Sequence, residues 1–167
     1  MLEDGSVYEG TARGDFKETA CEIVFNTSMT GYVEILTDPS YAGQGVVMTY
    51  PMIGNYGISR EDFESERLQP SAFIVHELSS DPSNFRCTDT IENLLKEYNI
   101  PCISGVDTRA VVKKLRESGT MRGVLTSDIS DREGLWMSLS PSAKLTLSAA
   151  LPQSRQRYTA KKTPVLK

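Results

Sequence analysis

The stretch Phe25-Asn26-Thr27-Ser28-Met29-Thr30-Gly31-Tyr32-Val33-Glu34-Ile35-Leu36-Thr37-Asp38-Pro39-Ser40-Tyr41 decides how this chain is read. Its lead-in, Glu22-Ile23-Val24-Phe25-Asn26, is apolar and β-branched and predicts a strand. Tyr32-Val33-Glu34-Ile35-Leu36 is equally rich in aromatic and β-branched residues and predicts the next strand. Asp38-Pro39-Ser40 ends it, because Pro39 pushes Asp38 out of the helical region and opens a turn.

Strand and turn signals continue on both sides. Before this stretch, the Asp4-Gly5 pair inside Leu2–Gly10 predicts a hairpin. After it, Gly45–Tyr50 predicts a strand closed by Pro51, residues 53–58 an ordered glycine-containing loop, residues 59–69 an acidic exposed segment, and Ser71–Leu78 a further strand. The period then changes. Ile91, Leu94, Leu95 and Tyr98 fall at i, i+3, i+4 and i+7, one face of a helix that Thr88 or Asp89 can cap. Pro101–Val106 predicts a short buried strand. Asp107-Thr108-Arg109 opens a second helix that Gly119 stops, and Met121–Thr126 is a last strand. The order, β-β-β-β-β-α-β-α-β, implies a layered, β-rich α/β domain with two main helices.

The 167 residues suffice for one domain with a tail. The chain carries 18 basic and 22 acidic side chains, a net charge of −4, which speaks against a general polyanion binder. All 22 acidic residues and 12 basic ones lie in residues 1–140, while residues 141–167 hold six basic residues and no acid. That end, with Pro141, Pro152 and Pro164, reads as a flexible basic extension. Only Tyr158 interleaves with its charges, so no nucleic-acid arm is expected. No apolar run approaches the roughly 20 residues that span a bilayer, and no basic start leads into a secretory apolar region. Neither a membrane nor secretion is expected.

Catalytic templates are missing from these residues. There is no GxxxxGK[ST], GxGxxG, GxSxG or HExxH. Cys21, Cys87 and Cys102 form no CxxC pair, which disfavours a disulfide framework and a zinc site, and fits reduced thiols in the cytoplasm. The single histidine, His76, has no evident nucleophile to serve, and Glu64 and Glu66 read as a solvated charge run. Side-chain chemistry alone gives a scaffold or binding domain, with no catalytic residue and no metal site.

Longer strings add to this reading. Phe25–Tyr32 and Glu34–Tyr41 closely resemble the amino-terminal region of the small subunit of glutamine-hydrolysing carbamoyl phosphate synthetase. Thr49-Tyr50-Pro51, Ile53-Gly54-Asn55-Tyr56-Gly57, Gly105-Val106-Asp107-Thr108-Arg109, the opening Leu2-Glu3-Asp4-Gly5 and Gly123–Thr126 resemble further strings of that family. The resemblance covers residues 2 to about 130, which makes residues 1–135 the expected domain and residues 136–167 an atypical basic tail.

The resemblance implies a three-layer β/β/α domain of the swivelling type. In the family a second domain, a glutamine amidotransferase, carries a nucleophilic cysteine in Gly-x-Cys-x-Gly and a histidine in His-Pro-Glu. Neither string occurs in these residues, so the chain alone is expected not to hydrolyse glutamine. The implied parent protein feeds ammonia from glutamine to a large synthetase subunit, which makes carbamoyl phosphate from bicarbonate and two ATP for arginine and pyrimidine synthesis. No cofactor is expected in this chain; ATP and magnesium belong to the large subunit.

The resemblance also suggests where contacts fall. Ser40 matches the serine that reaches across the domain boundary to glutamine; alternatively it only satisfies its own turn. Asn26, Thr30, Gly31 and Tyr32, with Asp107, Thr108 and Arg109, are candidates for shaping the large-subunit surface or the interdomain crevice. They can equally make a tight turn and a helix cap. The competing function is a stand-alone binding or regulatory module on the same fold.

Overall fold

Val24, Val46, Phe73 and Cys102 lie side by side across four neighbouring strands, and the next row is Phe25, Val47, Ile74 and Ile103. Because side chains alternate along a strand, one row faces each side of the sheet, and both rows are apolar. A sheet with two apolar faces must be covered twice. A computed structural model of the protein describes residues 1–14 and 16–139 and shows how.

The central sheet has six strands. Four run parallel in the order β7 (Cys102–Ser104), β5 (Ala72–Ile74), β3 (Gln44–Met48) and β2 (Thr19–Asn26). Antiparallel strands close the two edges, β1 (Thr11–Arg13) beside β7 and β8 (Met121–Leu125) beside β2. A small separate sheet pairs β4 (Met52–Ile53) with β6 (Glu77–Leu78) in parallel.

On one face, α1 (Tyr32–Thr37) and α2 (Ile91–Glu97) bury Tyr32, Val33, Leu36, Ile91, Leu94 and Leu95 against Val46, Met48, Phe73 and Cys102. On the other face, α3 (Thr108–Ser118) buries Val111, Val112 and Leu115 against Cys21, Ile23, Val47 and Ile74, with Leu2 completing the layer. A fourth helix, α4 (Arg132–Leu139), packs Leu135 and Leu139 beside Val124. The architecture is α/β, with four α-helices among the described residues.

Several expectations are corrected. Tyr32–Leu36 is helical, not a strand. Its aromatic and β-branched composition does not decide the matter, since every residue of Tyr32–Thr37 except Glu34 is buried, and a short apolar run can be a buried helix as well as a strand. The Asp4-Gly5 turn forms, with Gly5 at φ 84°, but no hairpin follows; Leu2 instead bridges Gly123 beside β8. The strand expected over Ser71–Leu78 divides into β5 and β6, which belong to different sheets. The cap of α2 is Thr90, whose hydroxyl accepts from Asn93 N–H at 3.2 Å, rather than Thr88 or Asp89. Within the expected exposed segment 59–69, Leu68 is buried in the first core. From residue 140 onward the expected basic extension lies outside the described residues.

Candidate functional site

The four parallel strands end together, and the loops that leave their carboxyl ends share one edge of the sheet. Ligand crevices of α/β folds form at such edges. Three of the strings singled out in the sequence start there: residues 27–31 after β2, 49–51 after β3 and 105–107 after β7. Asn26 organises the first. Its backbone carbonyl accepts from Thr49 N–H at 3.1 Å, its Oδ1 accepts from Ser28 N–H at 2.7 Å, and its Nδ2 donates to the Tyr41 hydroxyl at 2.9 Å.

The loop then enters α1 through Gly31, at φ 81°, where a side chain would be strained. No side chain at the cap position satisfies the first amides of α1. The Tyr56 hydroxyl does so from 25 residues away, accepting from Gly31 N–H at 2.7 Å and Tyr32 N–H at 3.2 Å. The two tyrosine rings stack with centroids 4.2 Å apart, and the Tyr32 hydroxyl donates to the Gly57 carbonyl at 2.7 Å. Burial pushes both phenols above their usual value, so both stay neutral at neutral pH, Tyr32 as a donor and Tyr56 as an acceptor. Tyr32 thus shapes the loop from inside the core, and Thr30 is exposed at its tip.

Ser40 sits at the far end of α1. Asp38 closes that helix and caps the single turn Pro39–Tyr41, accepting from Ser40 N–H at 2.8 Å. Asp38 therefore satisfies the turn, and the Ser40 hydroxyl is exposed with no hydrogen bond among the described residues. Tyr41 anchors the turn to Asn26.

On the opposite face, Asp107 caps α3 by accepting from Ala110 N–H at 3.0 Å. Thr108 is buried and Arg109 is exposed. Arg109, Lys113 and Arg116 lie at i, i+4 and i+7 on α3 and line a groove of about 530 Å³, whose other wall is Thr27 and Thr49. The Arg116 guanidinium sits over the Phe25 ring, 5.5 Å from its centroid. The loop after Asn26 and the Asp107–Arg109 segment thus meet, through Thr27 and Arg109. Ser40 is not among them, since its turn packs with α1 on the other side of the sheet. Sequence reading missed Tyr56 as the cap of α1, and missed Thr49, Lys113 and Arg116. The helical spacing of the three cations was the available signal.

Burial pushes the Cys21 and Cys102 thiols up to about 12, far from the thiolate a nucleophile needs. Cys87 is half-buried and donates to the Asp89 carbonyl at 3.2 Å. His76 is exposed, with Nδ1 3.1 Å from the Val106 carbonyl oxygen. Among the described residues no His, Cys, Asp and Glu side chains gather in a set able to hold a metal ion, and no helix is long and apolar enough to cross a membrane.

Comparison with known proteins bears on the same residues. Residues 1–125 match the family described as "Carbamoyl-phosphate synthase small chain, CPSase domain". The carbamoyl phosphate synthase small chain of Caldanaerobacter subterraneus is 54% identical over 130 residues, 78% of this chain and 36% of the relative. That of Fusobacterium nucleatum is 54% identical over 127 residues, 76% of this chain and 36% of the relative. That of Archaeoglobus fulgidus is 52% identical over 134 residues, 80% of this chain and 37% of the relative. The chain thus spans little more than a third of the curated relatives it matches. The strings gathered at the carboxyl ends of β2, β3 and β7 all fall inside the matched stretch, and the chain belongs to the carbamoyl phosphate synthase small chain family through this CPSase domain.

Proposed function

We propose that residues 1–135 act as the amino-terminal, non-catalytic domain of the glutaminase subunit of carbamoyl phosphate synthetase, in the cytoplasm. In this reading the assembled enzyme converts glutamine, bicarbonate and two ATP to carbamoyl phosphate for arginine and pyrimidine synthesis. The domain is of the swivelling three-layer type. It contacts the large subunit and the amidotransferase domain, while ATP and magnesium belong to the large subunit. The burial of Cys21 and Cys102, which keeps both thiols protonated, supports reading these two as core residues rather than nucleophiles.

Asn26, Thr30 and Gly31, with the Tyr32 backbone, form one contact loop, and Asp107, Thr108 and Arg109 form the second contact segment. Ser40 is the glutamine contact. The observation that carries this role is its exposed hydroxyl, unbonded within the domain, on a turn held by Asp38 and Pro39. A hydroxyl so placed can donate to and accept from a polar substrate across a domain boundary.

The test joins this domain to an amidotransferase domain and a large subunit, and compares wild type with Ser40→Ala. Loss of one substrate hydrogen bond should cost about 0.5–1.5 kcal/mol, seen as a raised KM for glutamine with ammonia-dependent synthesis unchanged. Unchanged glutamine kinetics would remove Ser40 from the pocket. Failure of the chain to bind a large subunit at low salt would favour a stand-alone binding module instead.

A further inference from the structure

The groove along α3 holds more positive charge than the fold requires. Arg109, Lys113 and Arg116 share one helix face, where like charges at i, i+4 repel and weaken the helix. Four other cations are paired: Arg60 with Glu97, Arg86 with Glu61 and Asp62, Lys96 with Glu92, and Lys114, also on α3, with Asp4, whereas Arg13, Lys17 and Arg67 have no ion pair among the described residues but stand apart from one another rather than sharing a helix face. Among the described residues the three groove cations have no ion-pair partner, although residues 1–140 carry a net charge of −10. Glu117, four residues after Lys113, is the one acidic side chain among the described residues that line the groove.

The groove is also shaped for a ligand. Arg116 is held over Phe25, which restrains its planar fork. Thr27 and Thr49 face the helix from the carboxyl ends of β2 and β3, and neither hydroxyl is hydrogen-bonded among the described residues. Two guanidinium forks, one ammonium and two hydroxyls offer several donors around one space. That set suits an anion with at least three acceptor oxygens in tetrahedral array, which a phosphate supplies and a single carboxylate does not. The volume of about 530 Å³ exceeds a lone orthophosphate and leaves room for a second phosphate or an ester.

We propose that this groove binds the phosphate of a small phosphorylated ligand, held by Arg109, Lys113 and Arg116 with Thr27 and Thr49. The proposal is independent of the glutamine role of Ser40, which lies on the opposite face, but it shares Arg109 with the contact segment proposed above, so it concerns the chain free of a large subunit. The test titrates the isotope-labelled 167-residue chain with pyrophosphate and follows backbone amides by NMR. Saturable shifts at Thr27, Thr49 and Arg109 are expected, with a dissociation constant on the order of 1 mM or below.

Arg109→Ala combined with Lys113→Ala should weaken binding about tenfold or more, because each loses a charge-assisted donor. Lys114→Ala, on the same helix but outside the groove, should leave binding unchanged. Pyrophosphate binding better than glycerol 3-phosphate assigns a diphosphate, and the reverse assigns a monoester; both support the proposal. It is overturned by the absence of saturable shifts up to about 10 mM pyrophosphate, by equal affinity in the double variant, or by citrate binding as tightly as pyrophosphate.

Discussion

The two faces of the central sheet are lined by adjacent residues of the same strands, yet they are closed by different means. On the α1/α2 face, two helices cover Val46, Met48 and Phe73, and the Tyr32–Tyr56 pair ties the entering loop to the core through neutral hydrogen bonds. On the α3 face, one helix shares the work with the irregular amino-terminal segment. Between them lies a cleft of about 450 Å³ lined in part by Leu2, Tyr8, Phe16, Val47 and Ile74. The difference teaches that burial alone does not measure packing. Val46 and Val47 are both fully buried, but Val47 also borders the cleft.

The largest expected effect compares Phe73 and Ile74, neighbours on β5 facing opposite sides. Phe73→Ala should cost about 3–5 kcal/mol, because Phe73 is fully buried among the α1 and α2 side chains and its removal leaves a cavity. Ile74→Ala borders existing space and should fall near the lower end of large-to-small losses, about 2 kcal/mol. Denaturant unfolding of both variants measures the gap. Equal losses would mean that the α3 face packs as tightly as the other.

The next effect is at the cap of α1. Tyr56→Phe keeps the stack with Tyr32 but removes the acceptor for Gly31 and Tyr32 N–H, and should cost about 1–3 kcal/mol. The paired change Tyr32→Phe keeps both amides of α1 capped but leaves the buried Gly57 carbonyl without this donor, which should also cost about 1–3 kcal/mol. If Tyr56→Phe unfolds at the wild-type denaturant concentration, the Tyr56 hydroxyl does not act as a helix cap.

These particulars also show what was legible in the sequence. β2, β3, β7, β8, α2 and α3 follow from local period, caps and breakers, and each appears close to its expected place. Asp107 and Gly119 announce both ends of α3 by their chemistry. What misled was information held at long range. Tyr32–Thr37 has strand-like composition, and it is helical because Gly31 turns the chain and a hydroxyl from residue 56 satisfies its amides. No pattern within the segment carries that fact. The division of Ser71–Leu78 likewise depends on pairing with Met52–Ile53, a partner in a second sheet. At the candidate site, Asn26 and Asp107 could be read because each acts within two or three residues of itself. Lys113 and Arg116 gain a role only because the fold sets them opposite Thr27 and Thr49, far away in sequence.

The smallest expected effect separates the two faces by pH. The α3 face is tied to the amino-terminal turn by the ion pair of Asp4 with Lys114 Nζ, 2.7 Å apart, and Asp4 also accepts from Ser6 N–H at 2.9 Å. Partial desolvation pulls the Asp4 carboxyl up, but these partners outweigh it and hold the group below its usual 3.8. In the unfolded chain the group returns to that ordinary value and binds protons more readily than in the fold. The stability it adds is therefore complete above pH 3.8 and is lost as pH falls through the lower folded value. Asp4→Asn should be slightly less stable than wild type at pH 7, and this deficit should shrink as the pH drops below 3.8. The penalty of Tyr56→Phe should not vary over that range, because its hydroxyl bonds are to backbone amides and do not titrate there. Unfolding curves of the three proteins at pH 7 and pH 3 make the measurement, and a constant deficit for Asp4→Asn would show that the ion pair adds nothing to the α3 face.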